Sequence, residues 1–313
     1  MKKTFFIILM SNCCFSQNDS IAPYFKEFEN KISTQLFVLN NTNNFTITTQ
    51  DQEVELNPNY KTTLNIGFQY DIISFSIGFA PRFFADNRDN RNSKMRTLSF
   101  GFFPGSWVQQ FEYHNQKGIS LEPVNTPYRI YLEELESLKI GGSTHYFFNK
   151  NFSYRAMALQ NFQQLKSAGS FSLGLAYNYT ELDGNNGPLL DAKIHFIDIA
   201  FTPAYYYNWV VGKHVNLAGG ISLGTGINFS NDDGHKTNSL LYTSGILLAP
   251  GFNSEKWFFG MNLKANYFGR KISEDASVGD TVATATLFVG YRFDAPQLLV
   301  SKTQKLKNIL KKS

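Results

Sequence analysis

Apolar and polar residues alternate along most of this chain with a period of two. Between 281 and 293, Ala, Leu, Val, Tyr and Phe occupy the odd positions, and Thr, Gly and Arg occupy most of the even ones. The pattern recurs in 259–270, 215–230, 197–209 and 171–180. A period of two indicates β-strands with one apolar face. Each run is long enough for a tilted strand to cross the hydrocarbon layer, which takes about 9–11 residues.

Strand length and the position of aromatic residues distinguish a membrane barrel from a soluble sandwich. Soluble strands typically have about five or six residues, whereas these runs are longer, and aromatic residues such as Tyr179, Trp209 and Tyr291 gather at their ends. Lipid-facing strands cannot leave unpaired edges in hydrocarbon. We therefore predict an all-β protein, a closed antiparallel transmembrane β-barrel of about 12–14 strands, with a short C-terminal tail whose apolar residues recur at roughly helical spacing.

The strand count is less certain than the fold class. About fourteen candidate strands lie between Ile32 and Phe293, by the alternation rule. Tracing strand directions back from the last strand places the long loops on opposite sides in the two halves of the chain. One segment is therefore miscounted, and the candidates are Asn161 to Lys166 and Asn115 to Ser137.

The chain begins with the features of a secretory signal peptide. Lys2 and Lys3 precede an apolar run from Phe5 to Met10, too short for a membrane helix. We predict a signal peptide at 1–16, an outer-membrane barrel at 17–293 and a basic periplasmic tail at 294–313. Cleavage near Ser16 would remove both cysteines, Cys13 and Cys14, and with them any disulfide or thiolate chemistry.

Composition agrees with this division. The chain is 42% hydrophobic, 16% aromatic and 17% charged, and its apolar residues are distributed along it. Of its 29 Lys and Arg residues, two lie in the leader and five in the tail. The body is therefore close to neutral, which argues against a nucleic-acid partner.

Phe152 to Gly174, which reads FSYRAMALQNFQQLKSAGSFSLG, resembles a segment of the Bacteroidota domain-of-unknown-function family numbered 4421. Asn57 to Gly67 (NPNYKTTLNIG), Trp107 with Lys117-Gly118, and Tyr207 to Lys213 (YNWVVGK) add to the resemblance, which extends over most of the mature chain. It implies an outer-membrane or barrel-like protein. It assigns no catalytic residue.

The alternation places a set of polar residues inside the barrel, either as a structural network of charges or as a path for a substrate. A second set is a candidate for a loop that recognises a ligand or partner, or for a hydrogen-bonded turn. The first set is Gln110, Glu112, Arg155, Asp198, Lys264, Arg270 and Arg292, and the second is Gln160, Gln163, Lys166 and Ser167.

Enzymatic and metal chemistry have little support in the sequence. Ser143 and His145 are the one pair of nucleophile and base on a shared face, but residues two apart on a strand lie roughly 7 Å apart at about 3.3 Å per residue. The other histidines are scattered, without metal-binding spacing. We expect no cofactor and no metal.

The predicted function is that of a non-enzymatic outer-membrane barrel of a Gram-negative bacterium, a channel, scaffold or surface-binding protein. Outer-membrane lipid is the expected partner, and any solute or protein partner is unidentified. The alternatives are a barrel enzyme acting on lipid and a soluble periplasmic β-sheet protein.

Overall fold

The computed structural model describes residues 23–50, 53–58, 61–89, 93–123, 130–159, 161–184, 193–232, 235–271 and 276–310. The predicted leader at 1–16, including Cys13 and Cys14, and Gln160 lie outside these ranges. The strands are β1 (Phe25–Glu27), β2 (Lys31–Thr48), β3 (Glu53–Pro58), β4 (Lys61–Tyr70), β5 (Ile73–Phe79), β6 (Lys94–Phe102), β7 (Trp107–Pro123), β8 (Ile130–Phe147), β9 (Phe162–Gln164), β10 (Ala168–Asp183), β11 (Lys193–Phe201), β12 (Ala204–Val210), β13 (Val215–Asp232), β14 (His235–Asn253), β15 (Trp257–Lys271) and β16 (Ser277–Asp294). The helices are α1 (Ala85–Asp89), α2 (Tyr154–Met157) and α3 (Gln297–Leu310).

The wall is a single antiparallel sheet that closes on itself. Its order is β2, β4, β5, β6, β7, β8, β10, β11 with β12, β13, β14, β15 and β16. The ring closes where β16 pairs with β2, in an unbroken register from Ser277 opposite Thr48 to Asp294 opposite Lys31. The predicted closed barrel is confirmed, with twelve positions in the wall.

One of these positions is composite, and one short strand lies outside the twelve. The strands β11 and β12 share one position between β10 and β13, and Pro203, which has no N–H for the ladder, lies between them. The short strand β3 joins the far ends of β2 and β7, beyond the ends of β4, β5 and β6. Gly118, with φ of 87°, sits in β7 at the register shift where this change of neighbour occurs.

We call the end of the barrel that holds Lys31 and Asp294 the terminal end, and the opposite end the loop end. Both ends of the wall sequence therefore lie on one side, as expected for an even number of strands. Past the terminal end, the tail forms the helix α3, which confirms the helical spacing seen in the sequence. Among the described residues, no helix has the length and apolar character that crossing a membrane requires.

Apolar side chains cover the outside of the barrel. Ile221, Phe201, Phe259 and Leu263 are 61%, 50%, 50% and 37% exposed, so the odd-numbered faces predicted to face lipid do point outward. Aromatic pairs ring the terminal end, with Trp107 and Tyr146 at 5.1 Å and Trp257 and Tyr291 at 4.8 Å between ring centroids. This arrangement is that of an interfacial girdle.

The inside of the barrel is filled at both ends. Near the terminal end, the connection between β8 and β10 folds inward and places β9 against β1 in a separate two-stranded sheet. We call residues 24–28, 149–159 and 161–166 the plug. Near the loop end, a buried apolar cluster packs inside the wall, formed by Phe45, Leu56, Ile119, Leu132, Leu135, Leu182, Phe196 and Val278.

The plug explains the miscounted strand. Asn161 to Lys166, one of the two candidates, contains β9, which pairs with β1 and not with the wall. Asn115 to Ser137, the other candidate, comprises the facing ends of β7 and β8, which are both wall strands.

Candidate functional site: a lumen closed by a plug and crossed by ion pairs

Arg292 fastens the plug to the wall. Its guanidinium donates to the carbonyl oxygen of Leu159 in the plug (3.1 Å), and to Ser254 O (2.6 Å) and Asn253 Oδ1 (2.9 Å) beside the turn between β14 and β15. The same group lies 4.4 Å from the ring centroids of Phe28 and Phe258, between the plug and β15. Arg292 is 1% exposed, so one buried cation joins both parts of the plug to the wall.

Neutral amides hold the rest of the plug. Asn161 donates through Nδ2 to Lys31 O (2.6 Å), and its backbone N–H donates to Gln69 Oε1 (2.9 Å). Asn208 of β12 donates to Ser153 O (2.9 Å) and Gln164 Oε1 (3.1 Å). The plug therefore contacts several parts of the ring, which a flexible loop at the mouth would not do.

The described residues considered for loop recognition, Gln163, Lys166 and Ser167, belong to this plug or its edge. Gln163 is buried and donates to Lys213 O (2.7 Å) and Asn253 O (3.1 Å). Ser167 Oγ accepts from the backbone N–H of Val210 (3.0 Å), and Lys166 lies over the ring of Tyr24. Each of these contacts is made within the protein itself, at the terminal end of the barrel.

Arg155 and Tyr154 begin the helix α2 inside the plug, and Ser153 caps it by accepting from Ala156 N. Arg155 donates to Asp71 O and lies over the ring of Phe162 at 4.0 Å. Burial lowers the pKa of Arg155 to about 10, so the group stays protonated at neutral pH. Arg155 thus lies within the barrel, on the plug and not on a wall strand.

Glu112 and Lys264 form an ion pair across the middle of the lumen. Lys264 Nζ of β15 lies 3.4 Å from Glu112 Oε1 of β7, and these strands occupy opposite sides of the ring. His114 Nε2 lies 3.4 Å from the other carboxylate oxygen of Glu112, and its Nδ1 lies 3.3 Å from Asn41 Nδ2. We call this pair the middle crossbar.

A second set of ion pairs crosses the lumen closer to the loop end. Lys139 Nζ of β8 lies 2.6 Å from Asp280 Oδ2 of β16, again on the opposite side of the ring. Arg270 bridges Asp280 (3.2 Å) and Asp198 (2.6 Å), and Asn228 donates to Asp198 (2.7 Å). We call these five residues the upper crossbar. Its two cations and two anions balance, as burial in an apolar setting requires.

The two crossbars differ in packing. The charged side chains of the upper crossbar are at most 8% exposed, and Phe196 and Phe268 cover Arg270 and Lys139 at 4.6 and 4.5 Å. Glu112 and Lys264 are 39% and 35% exposed to the lumen, and their 3.4 Å separation is longer than the usual 2.7–2.9 Å of a charged hydrogen bond. The middle crossbar is therefore loose and accessible from the space around it.

That space consists of two adjoining cavities between the plug and the upper crossbar, with volumes of about 140 and 280 Å³. Both contact the middle crossbar, Gln110 and Tyr154. We call the larger cavity, which extends along the inner faces of β4, β5 and β6, the side chamber. Tyr154 donates to Gln110 Oε1 (3.2 Å) at its floor, and burial raises the pKa of Tyr154 to about 12, so the phenol stays neutral.

Ser143 and His145 line the smaller cavity without forming a catalytic pair. His145 Nδ1 lies 3.4 Å from Ser172 Oγ of the adjacent strand, so its nearest hydroxyl partner is Ser172. In the described part of the chain, no group of three or more His, Cys, Asp or Glu side chains is placed to hold a metal ion.

Alternation placed Gln110, Glu112, Lys264, Asp198, Arg270 and Arg292 inside, but it gave no means of pairing them. The structure joins the five charged residues of this set into two crossbars and a fastening for the plug, while Gln110 accepts a hydrogen bond from Tyr154. Sequence reasoning missed Lys139 and Asp280. Asp280 lies in β16, which begins at Ser277, ahead of the run of 281–293 from which this strand was predicted. Its signal was an inward position in the same alternating register as Arg292.

Comparison with known proteins identifies the family of this chain. A family model described as "Domain of unknown function (DUF4421)" matches residues 17–293. The chain belongs to this family. The resemblance carried by the FSYRA segment is thereby confirmed. A search of curated proteins gives no match.

Several solved outer-membrane proteins are similar in architecture. The translocator domain of the autotransporter NalP from Neisseria meningitidis is 11% identical, with a TM-score of 0.41, over 83% of this chain and 88% of that one. The COG4313 outer membrane channel from Pseudomonas putida F1 is 11% identical, with a TM-score of 0.39, over 87% and 100%. OmpT of Vibrio cholerae is 11% identical, with a TM-score of 0.34, over 83% and 98%.

Proposed function

We propose that this protein is a non-enzymatic outer-membrane barrel whose lumen is closed in its resting state. On this proposal, outer-membrane lipid surrounds the apolar wall, and the host is a Gram-negative bacterium, of the Bacteroidota if the sequence resemblance extends to the source. The barrel then acts as a scaffold with a sealed interior, and not as an open pore.

The placement in a membrane is supported by the outward faces. Large apolar side chains such as Ile221, Leu223 and Leu287 are more than 60% exposed on long wall strands. Contiguous apolar surface of this extent is unfavourable in water for a monomer. The same surface argues against the soluble periplasmic alternative.

The closed state is supported by three barriers that follow one another along the lumen. The plug fills the terminal end, the middle crossbar joins opposite strands, and the upper crossbar lies within the apolar cluster of the loop end. An aqueous channel requires a continuous polar path, which buried apolar clusters at both ends interrupt.

The lipid-acting enzyme is less well supported. Ser143 and His145 line a cavity inside the barrel, whereas lipid lies outside it. The two side chains are also on one strand, and His145 is nearest to Ser172. A hydrolase would need a nucleophile and base within hydrogen-bonding reach at a surface that the substrate can contact.

Conductance across a planar bilayer tests the proposal. The purified protein, shown to be folded by its altered gel migration before and after boiling, should give no open-channel steps. A porin reconstituted in the same bilayers should conduct and so validate the preparation. Sustained steps from the folded wild-type protein would refute the closed state.

A further inference from the structure

The side chamber carries hydrogen-bonding groups that the protein itself does not use. Gln35 of β2 and Asn262 and Asn266 of β15 line it. Within the described residues, the side chains of these three amides make no hydrogen bond. Ser74, Thr284 and Thr286 line the same cavity, and within the described residues their hydroxyls also make no hydrogen bond. These six residues are half-buried, and their polar groups face the cavity, so they are free to bond a solute there.

The lining is neutral apart from the middle crossbar. Glu112 and Lys264 face each other, and their charges offset one another. The inner faces of β4, β5 and β6 contribute small side chains, and Ser76 and Ser99 bond to each other at 2.6 Å. A ligand with a net charge would find no unbalanced counter-charge here.

Aromatic rings complete the chamber. Phe37, Phe258 and Phe288 lie on the wall near the plug, and Tyr154 forms part of the floor. Amides and hydroxyls can bond the hydroxyl groups of a ligand, and the aromatic rings opposite can contact its C–H groups. The lining therefore suits a small molecule with many hydroxyl groups. The cavity of about 280 Å³ is the size of about nine waters at roughly 30 Å³ each, which limits the ligand to a small molecule.

Gly67 shows that the wall leaves room for these groups. A Cβ at Gly67 would lie 2.9 Å from Cγ and Nε2 of Gln35, so a larger residue would push this amide aside. The glycine therefore leaves room for the Gln35 side chain at the chamber wall.

We infer that the side chamber is a binding site for a small neutral polyhydroxylated solute, of the size of a monosaccharide. Amides of Gln35, Asn262 and Asn266 bond its hydroxyls, and the rings near the plug contact its C–H faces. The site extends the proposed closed barrel, but the test below requires neither a membrane nor conductance, so it can fail independently of that proposal.

The test is equilibrium dialysis of the full chain against radiolabelled D-glucose in a detergent without a sugar headgroup. Arg292→Met, which loosens the plug without replacing a residue of the chamber lining, is dialysed in parallel so that slow entry cannot hide a site. Saturable binding is expected for the wild type, for Arg292→Met, or for both. If neither the wild type nor Arg292→Met shows saturable binding, the chamber holds water only, and the inference is overturned.

Paired variants locate the site. Asn262→Leu with Asn266→Leu removes two hydrogen-bonding amides and should weaken glucose binding about tenfold or more. Asn40→Leu makes the same change on the outward face of β2 and should leave binding unchanged. All variants must retain the heat-dependent gel shift. Equal binding by the double variant, or tighter binding of the anionic probe gluconate, would contradict the assignment.

Discussion

Replacing Arg292 by Met tests how the plug is held. The substitution keeps an unbranched apolar side chain but removes the guanidinium that bonds Leu159 O and stacks on Phe28. A hydrogen bond to a charged group contributes about 1.5–3 kcal/mol, and a desolvated cation–π contact about 0.5–2 kcal/mol. Docking of the plug should therefore weaken by at least about 2 kcal/mol.

That loss corresponds to roughly a 30-fold rise in the population of molecules whose plug is undocked, at 1.4 kcal/mol per factor of ten. Hydrogen exchange followed by mass spectrometry reports it, because the amides of Phe28, Asn161 and Leu165 are bonded within the plug or to the wall. Peptides covering 152–165 should exchange faster by about this factor, while peptides from β13 and β14 keep their protection.

Arg96→Met is the matched control, since Arg96 lies exposed on the outer face of β6. It should leave exchange in the plug unchanged. Arg292→Lys keeps the charge without the forked geometry and should give an intermediate rate. If Arg292→Met left the protection of 152–165 at the wild-type level, Arg292 would not be the fastening that its contacts indicate.

Three further variants probe the wall and the upper crossbar, with denaturant titration of the protein folded in liposomes as the measurement. Asp280→Asn leaves Lys139 and Arg270 buried with a reduced counter-charge and should cost about 3–5 kcal/mol, whereas Asp294→Asn, at an exposed pair with Lys31, should not shift the midpoint. Gly142→Ala would bring a methyl group against Gln110 O and should destabilise by about 1–3 kcal/mol, while Gly212→Ala, with open space around it, should be neutral. Leu223→Lys on the outward face should cost about 2–4 kcal/mol if it lies near the bilayer midplane, and the same change at Phe229, nearer the loop end, should cost less.

The wall of the barrel could be predicted because its physical cause is local. Each outward residue, such as Ile221 or Phe259, differs from its chain neighbours in the solvent it faces, and the period of two records this difference. The alternation also gave the correct inward side for Lys264 and Arg292.

The plug could not be predicted from alternation. Phe162 to Gln164 has a strand conformation, but its partner is Phe25 to Glu27, more than 130 residues away along the chain. A pattern within one segment does not reveal which segment it pairs with, so this strand was counted as part of the wall.

The ion pairs of the two crossbars could not be predicted from the sequence for the same reason, because they form only when the ring closes. Glu112 and Lys264 meet because β7 and β15 come to lie on opposite sides of a twelve-position ring. The contact of Lys139 with Asp280 has the same origin. Inward direction is a property of one strand, whereas pairing across a lumen is a property of the whole closed sheet.

Site-directed spin labelling along β13 measures most directly whether the barrel faces lipid with a sealed interior. The only cysteines of the chain are Cys13 and Cys14 in the predicted leader, so single cysteines can be placed at 221, 222, 223 and 225 without further changes to the wall. In liposomes, labels at 221, 223 and 225 should collide freely with oxygen dissolved in lipid, and the label at 222 should be shielded both from oxygen and from a water-soluble nickel reagent. Loss of this difference between 222 and its neighbours, or free access of the nickel reagent to 222, would contradict a closed barrel in a membrane.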